Sequence, residues 1–130
     1  MFVEGCEKGY FVKNSAGEPY LIKSVSIKFA MIDFTNPEAK QWCKQIIKDH
    51  LIKEARAGGW MHDFGEYMPF DAVLSDGSDP IMYHNKYVEE WARCGAEAVS
   101  EVENGKDLFY FMRAATTFSP RYTSLFWMGD

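Results

Sequence analysis

The sequence predicts an α/β fold: part of a (β/α)8 barrel with about four parallel strands, flanking helices and an N-terminal β-hairpin. Apolar extended runs alternate along the chain with stretches of helical periodicity. Two of these runs, 59–63 and 125–130, end on a carboxylate with glycine close by, as strands do at the C-terminal mouth of such a barrel. A complete barrel takes about 250 residues. This chain has 130, so we expect it to be the central part of a longer protein.

Residues 1–24 are predicted to form a hairpin that decorates the barrel. The β-type runs 9–13 and 19–23 flank Asn14-Ser15-Ala16-Gly17-Glu18, whose Asn and Gly favour a turn. Two strands alone are marginally stable in water. We therefore expect this hairpin to lie on the barrel without contributing site residues, and residues 25–130 to supply the barrel strands and helices.

The run 25–32 is mostly apolar and predicts the first barrel strand. A helix start follows, because Thr35 or Asn36 suits the N-cap and Pro37 suits the first helical position. Apolar residues then recur with helical spacing, which predicts a helix over 36–56.

Asp33 comes at the end of this first strand. Two interpretations stay open: a third active-site acid, or a structural carboxylate that bonds the following loop. On the helix, Lys44 and Lys48 share a face with Glu38 and Asp49 close by. We interpret these charges as a solvated face.

The next strand is predicted over 59–62, and Asp63 leaves it toward the mouth of the barrel. On spacing alone, an acidic loop after a core strand is the simpler interpretation of Asp63. His62 is adjacent to Asp63 in the strand and should point to the opposite face, toward the core or a helix. Gly65 allows the backbone geometry that Glu66 needs in order to point inward.

Residues 71–80 are rich in Asp, Ser, Gly and Pro, which predicts a long loop. The acids suggest calcium, but the EF-hand pattern fails because its twelfth position falls on Met82. We predict an active-site loop or lid without a metal. Helical periodicity resumes over 85–103, where Glu97 and Glu101 are interpreted as solvent charges.

The run 108–112 is continuously apolar, as a strand buried on both faces requires. Arg113 follows at its end. A polar loop over 116–122 then leads to the last predicted strand, 124–128.

The composition excludes several classes of protein. The net charge of −5 and the lack of a basic stripe argue against a nucleic-acid partner. No apolar run approaches the ~20 residues of a membrane span. Cys6, Cys43 and Cys94 are an odd number without metal-ligand spacing, so we predict no disulfide framework, metal or cofactor. The compartment and the oligomeric state are not indicated, although a soluble, cytoplasmic protein is slightly favoured.

Three ordered motifs carry a resemblance to a known family. The segment 60–67, Trp-Met-His-Asp-Phe-Gly-Glu-Tyr, resembles the nucleophile motif of family 31 glycoside hydrolases, in the variant found in sulfoquinovosidases. The segment 127–130, Trp-Met-Gly-Asp, resembles the acid/base motif of that group. Phe111-Met112-Arg113-Ala114 resembles the family's substrate-binding arginine segment. The similarity runs from about Gly9 to the last residue and implies a TIM barrel.

The resemblance implies a retaining glycoside hydrolase that cleaves α-O-glycosidic bonds through a covalent glycosyl-enzyme intermediate. Sulfoquinovosides are the favoured substrates, and an α-glucosidase or α-xylosidase of the same family is the alternative. Asp63 would be the nucleophile and Asp130 the acid/base. The residues expected to bind the carbohydrate substrate are Arg113, Glu66 and Trp127.

Alternatives remain for some of these residues. Arg113 would otherwise form a structural ion pair, and Trp127 is at least as well explained by packing. Phe118 stands where relatives usually have Gly, and Pro120 where many have Gln, which could narrow the leaving-group side or prevent the usual turn. An alternative of another class is a catalytically silent fragment or interaction module.

Overall fold

The N-terminal part of the chain builds an antiparallel hairpin. The computed structural model describes residues 1–129. A short helix that was not predicted, α1 (Phe2–Glu7), precedes strands β1 (Leu21–Ser24) and β2 (Ile27–Ala30). The two strands pair antiparallel, with Leu21 opposite Ala30.

The predicted pairings in this part differ from the observed ones. The runs 9–13 and 19–23 meet in a single bridge, Lys13 with Pro19, because proline has no N–H with which to continue a ladder. The run 25–32 was predicted as a parallel barrel strand, but its pairings are antiparallel, in β2 with β1 and at the bridge of Ile32 with Phe11. The chain turns at Val25, with a φ of 52°, and folds β2 back onto β1.

The first long helix is confirmed. α2 (Pro37–Ile46) continues as a π-helical segment over Ile47–Glu54. Asn36 caps its start, because Asn36 Oδ1 accepts hydrogen bonds from the backbone N–H groups of Glu38 at 2.9 Å and Ala39 at 3.4 Å. Pro37 occupies the first turn, where a missing N–H costs no helical hydrogen bond.

The parallel strand order of the second half is confirmed, although the strands are short. β3 (Gly59–Met61) pairs parallel with β4 (Phe109–Phe111), with Trp60 opposite Tyr110. Met112 then forms a parallel bridge with Phe126, to which the predicted strand 124–128 is reduced. Parallel strands end at one edge, so the residues after β3, β4 and Phe126 lie together.

The connection between β3 and β4 contains α3 (Pro80–Ser100), which begins five residues earlier than predicted. Asp79 Oδ1 accepts a hydrogen bond from the Ile81 N–H at 2.9 Å, and Pro80 takes the first helical position. Asp79 and Pro80 lie within the predicted loop 71–80, but this pair is also a helix start signal.

The core lies where α2, α3 and the strands meet. Cys43 and Cys94 are both buried in this core as free cysteines. The larger cluster of buried side chains includes Val12, Met31, Phe34, Cys43, Ile47, Met68, Leu74, Tyr83, Tyr87 and Cys94.

A ladder of ion pairs joins α2 to α3. Lys44 Nζ lies 2.6 Å from Glu101 Oε1 and 3.4 Å from Glu97 Oε2. Lys40 pairs with Glu97 at 2.9 Å, and Lys48 with Glu101 at 2.8 Å. Lys44 is only 9% exposed, so the interpretation as a solvated face is wrong for Lys44 and Lys48, which pair across to α3. Periodicity within one helix does not reveal which charges meet across two.

Candidate active site

Asp63 follows β3 at the edge where the parallel strands end. The preceding residue, His62, donates its backbone N–H to Phe111 O at 2.7 Å. The His62 ring is 2% exposed and stacks on Trp91 of α3, with ring centroids 3.5 Å apart. Burial lowers the pKa of His62 to about 3. The Asp63 side chain, by contrast, is 37% exposed. The predicted opposite orientation of these two neighbours is confirmed.

The turn after Asp63 has an unusual backbone. Phe64 has a φ of 61° and Gly65 a φ of 112°, both in the region that glycine favours. Asp63 Oδ1 accepts a hydrogen bond from the Phe64 N–H at 2.8 Å, and Trp91 Nε1 donates to Asp63 O at 3.0 Å. A Cβ on Gly65 would lie 3.2 Å from Trp91 Cδ1. These contacts fix the turn that brings Glu66 back toward Asp63.

Arg113, just beyond β4, joins the two carboxylates of this turn. Arg113 Nη2 donates to Glu66 Oε1 at 2.5 Å. Arg113 Nε lies 3.2 Å from Asp63 Oδ1, an ion pair whose angle does not make a hydrogen bond. The guanidinium carbon lies 4.3 Å from the centroid of the Phe64 ring. The pKa of Arg113 is raised overall. Burial alone would lower this pKa, but the hydrogen bond to Glu66 and the negative charges of Glu66 and Asp63 outweigh the effect of burial.

Glu66, Arg113 and Trp127 line one cavity of about 440 Å³, which we call the inner cavity. Trp127 is 39% exposed and follows the bridge at Phe126, where its N–H donates to Met112 O at 2.8 Å. The structure thus brings together the three side chains that the sequence assigned to substrate binding. Other residues that line the inner cavity include His84, Asn85, Thr116 and Gly129.

Asp63 lines a different, smaller cavity of about 150 Å³, together with Phe29 and Trp91. The ion pair between Asp63 and Arg113 connects this smaller cavity to the inner cavity. Asp130, the predicted acid/base, lies outside the described residues.

His84 and Asn85 lie in the inner cavity but were not singled out from the sequence. His84 Nδ1 lies 2.6 Å from Met68 O, so this nitrogen carries the proton, and the ring stacks on Phe70 with centroids 4.4 Å apart. The Asp-Pro pair at 79–80 could have indicated these two residues, because it is a helix start signal. A helix that begins at Pro80 places His84 and Asn85 in its second turn, near the end of β4.

Asp33 is a structural carboxylate and not a third active-site acid. It is 1% exposed. Asp33 Oδ1 accepts hydrogen bonds from Thr35 N–H at 3.0 Å and Thr35 Oγ1 at 2.6 Å. Asp33 Oδ2 accepts from Ser75 N–H at 2.8 Å and Ser75 Oγ at 2.6 Å. The interpretation of Asp33 as a carboxylate that bonds the neighbouring loops is confirmed.

The loop 71–79 is therefore held away from the candidate site. None of its residues lines the inner cavity or the cavity beside Asp63. Ser75 ties this loop to Asp33. The loop also contacts the N-terminal segment, because Tyr20 Oη donates a hydrogen bond to Asp71 Oδ1 at 2.9 Å. The prediction of an active-site loop or lid is wrong, because its turn-forming residues indicated a loop without indicating what the loop contacts.

Across residues 1–129, no group of three or more His, Cys, Asp or Glu side chains is arranged to hold a metal ion. No helix in this range is both long and apolar enough to cross a membrane.

Comparison with known proteins gives consistent results. Over 127 residues the chain is 39% identical to a sulfoquinovosidase from Escherichia coli, covering 98% of this chain and 19% of that protein. It is 28% identical to an α-xylosidase from Emericella nidulans, covering 100% of this chain and 16% of that protein. A solved family 31 sulfoquinovosidase from E. rectale, in complex with the aza-sugar inhibitor IFGSQ, superimposes with a TM-score of 0.92 at 42% identity.

The E. rectale structure covers 99% of this chain, and the chain covers 19% of it. The chain thus spans about a fifth of the length of these relatives. The model of the glycosyl hydrolases family 31 TIM-barrel domain matches residues 1–130. In the structure, parallel strands end at one edge, and an arginine joins two carboxylates there. Together with this geometry, the match shows that the chain belongs to the TIM-barrel domain of the family 31 glycosyl hydrolases.

Proposed function

We propose that this chain supplies the catalytic centre of a retaining glycoside hydrolase that cleaves α-O-glycosidic bonds of sulfoquinovosides. The observation that carries the proposal is the contact of Arg113 with Asp63 and Glu66 at the edge where β3 and β4 end. The similarity to sulfoquinovosidases from two sources supports this choice of sugar. Within the barrel, residues 25–130 would supply strands and helices and residues 1–24 a decoration.

In this mechanism, Asp63 is the nucleophile. Its carboxylate attacks the anomeric carbon and forms a glycosyl ester, while the bond to the leaving-group oxygen breaks and Asp130 protonates that oxygen. Asp130 then takes a proton from water, which attacks the same carbon, releases the sugar and regenerates the Asp63 carboxylate. Two inversions give net retention, and such carboxyl pairs lie about 5–5.5 Å apart.

The remaining residues would hold the substrate. Arg113 keeps the Asp63 carboxylate oriented through the ion pair at 3.2 Å, and the unpaired part of its donor fork is available to sugar hydroxyls. Glu66 fixes the guanidinium through Oε1 and lines the inner cavity. Trp127 offers a partly exposed ring on which a sugar can stack.

The experiment uses the longest natural chain that contains residues 1–130 and a nitrophenyl α-sulfoquinovoside as substrate. Asp63→Asn should abolish turnover, because the amide is not a nucleophile. Asp130→Asn should impair substrates with poor leaving groups most, because those need protonation. The matched control is Asp107→Asn, at an exposed position outside both cavities.

Three results would contradict the proposal. Near-normal hydrolysis by the Asp63→Asn variant would remove the nucleophile assignment. An early product of inverted anomeric configuration, observed by NMR, would remove the retaining mechanism. A lack of turnover on every glycoside tested would favour the alternative of a catalytically silent interaction module.

An α-xylosidase is the second candidate, because a relative with that name aligns with the whole chain at 28% identity. Nitrophenyl α-xyloside and α-glucoside serve as the competing substrates. A kcat/KM that is higher for either of them than for the sulfoquinovoside would transfer the proposal to that sugar and keep the mechanism.

A further inference from the structure

His62 is a buried titratable side chain that the proposed mechanism does not use, although it is the neighbour of Asp63 in the sequence. Trp60 Nε1 lies 3.3 Å from His62 Nδ1, and an indole N–H can only donate. His62 Nδ1 therefore accepts, and the ring proton lies on Nε2, which donates to the backbone oxygen of Trp91 at 3.0 Å. Burial keeps the ring neutral, since it lowers the pKa of His62 to about 3.

Trp91 of α3 connects this ring back to Asp63. Its Nε1 donates to the backbone oxygen of Asp63 at 3.0 Å. The indole stacks on the His62 ring, with centroids 3.5 Å apart, and on the Phe34 ring, with centroids 5.9 Å apart. Because two rings pack on the indole, its N–H is held at a fixed place beside the Asp63 carbonyl.

The carbonyl that Trp91 binds opens the strained turn after Asp63. Phe64 has a φ of 61°, which is uncommon for a residue with a side chain. Such a conformation persists only where the surrounding structure holds it. The Phe64 N–H donates to Asp63 Oδ1 at 2.8 Å, so a shift of this turn would also shift the Asp63 carboxylate.

The helix that carries Trp91 is fixed closely against the strands. A Cβ on Gly95 would lie 3.3 Å from His62 Cε1 and 3.0 Å from Tyr110 Cζ. A side chain at position 95 would therefore push both rings away from α3. Tyr110 Oη also donates to the backbone oxygen of Ala92 at 2.7 Å. Trp91 thus acts from a rigid element, which holds a contact more accurately than a loop does.

We propose that Trp91 is a positioning residue for the nucleophile: its indole N–H holds the Asp63 carbonyl, and the His62 ring holds the indole. This inference rests on the proposed function, because it takes Asp63 as the attacking group. Trp91 belongs to none of the three family motifs in the sequence. The proposal therefore gives α3 a part in the chemistry that those motifs do not assign.

The test removes the indole N–H and keeps the ring, in the longest natural chain that contains residues 1–130. Benzothienylalanine in place of Trp91 has sulfur where the indole has nitrogen. With nitrophenyl α-sulfoquinovoside, kcat should fall roughly 10-fold and KM should stay within about 2-fold, because a small displacement of a reacting group slows the chemical step. His62→Phe, which keeps a stacking ring without its hydrogen bonds, should act in the same direction. Benzothienylalanine at Trp42, which lines neither cavity, is the matched control.

Hydrogen exchange gives a second measurement that does not depend on catalysis. The Phe64 N–H belongs to the turn, whereas the His62 N–H donates to Phe111 O in the sheet. The analogue at Trp91 should speed exchange of the Phe64 N–H roughly 10-fold, as expected for the loss of one hydrogen bond. Exchange of the His62 N–H should not change, because β3 remains paired with β4.

The proposal requires the lower kcat and the faster exchange at Phe64 together, and either change alone would overturn it. A raised KM with an unchanged kcat would show instead that Trp91 binds substrate directly, since it lines the cavity beside Asp63. If the unsubstituted protein hydrolyses no glycoside, the proposed function fails. Faster exchange at Phe64 would then still support the hold of Trp91 on the turn, and unchanged exchange would remove that hold as well.

Discussion

Arg113 Nη2 and Glu66 Oε1 lie 2.5 Å apart, although 47 residues separate them in the sequence. The same guanidinium places its Nε 3.2 Å from Asp63 Oδ1. One arginine therefore fixes two carboxylates that a strained turn has already brought to the same edge. The second oxygen of Glu66, Oε2, is buried and has no hydrogen-bond partner within residues 1–129.

Glu66→Gln should reduce hydrolysis without unfolding the protein. The neutral amide loses the charge-assisted hydrogen bond to Arg113, and the arginine is then free to shift relative to Asp63. A displacement of about 1 Å at a reacting group costs up to ~100-fold in rate, so we expect kcat/KM to fall roughly 10–100-fold. Glu103→Gln, at an exposed position, is the control. Unchanged kinetics in the Glu66 variant would mean that Arg113 is positioned without it.

Asp33→Asn should lower stability and leave the activity per folded molecule unchanged. The buried carboxylate accepts four hydrogen bonds from Thr35 and Ser75, and an amide nitrogen in place of one oxygen faces two donors. We expect the free energy of unfolding to fall by about 2–4 kcal/mol, measured by denaturant titration. A loss of turnover with normal stability would instead support the rejected interpretation of Asp33 as an active-site acid.

His62 should make the protein less stable as the pH falls. Burial lowers its folded pKa to about 3, whereas an unfolded histidine has a pKa of about 6.5. Between these values the unfolded state binds the proton and the folded state does not, so the free energy of unfolding drops by about 1.4 kcal/mol per pH unit on acidification. His62→Gln should remove this slope between pH 6 and 4. Replacing the exposed His50 in the same way should leave it, and an equal slope in both variants would rule out His62 as its source.

Lys44→Met should destabilise the contact between α2 and α3. Lys44 is 9% exposed and pairs with Glu97 and Glu101, so its removal leaves two close carboxylates without their shared cation. We expect a loss of about 1–3 kcal/mol in denaturant titrations. Lys53→Met is the control, because its pair with Asp49 is exposed to solvent and contributes little to stability. Similar losses in the two variants would show that the ladder adds no more than an ordinary surface pair.

Local signals in the sequence were sufficient for much of the second half of the fold. Asn36 and Pro37 marked the start of α2, and the apolar runs before Asp63 and Arg113 marked β3 and β4. Alternation along a strand also predicted that His62 points away from Asp63. Each of these inferences depends only on a residue and its near neighbours.

The features that were missed depend on contacts distant in sequence. The turn at Val25 splits an apolar run that periodicity treats as one strand. The ion pairs of Lys44 and the hydrogen bonds between Asp33 and Ser75 join residues that are far apart in the sequence. The spacing of residues within one helix or loop does not predict such contacts. His84 and Asn85 enter the inner cavity only because α3 begins at Pro80.

The parallel pairing of β3 with β4 also bears on when the site forms during folding. The helices α2 and α3 begin with local caps at Asn36 and Asp79, which need no distant partner. Glu66 and Arg113 meet only after a segment of 47 residues has closed, and that closure costs chain entropy before any contact offsets it. We therefore expect the helices to form early and the edge that carries Asp63 to assemble late. On a ribosome, this edge has no partner strand until the residues of β4 have emerged.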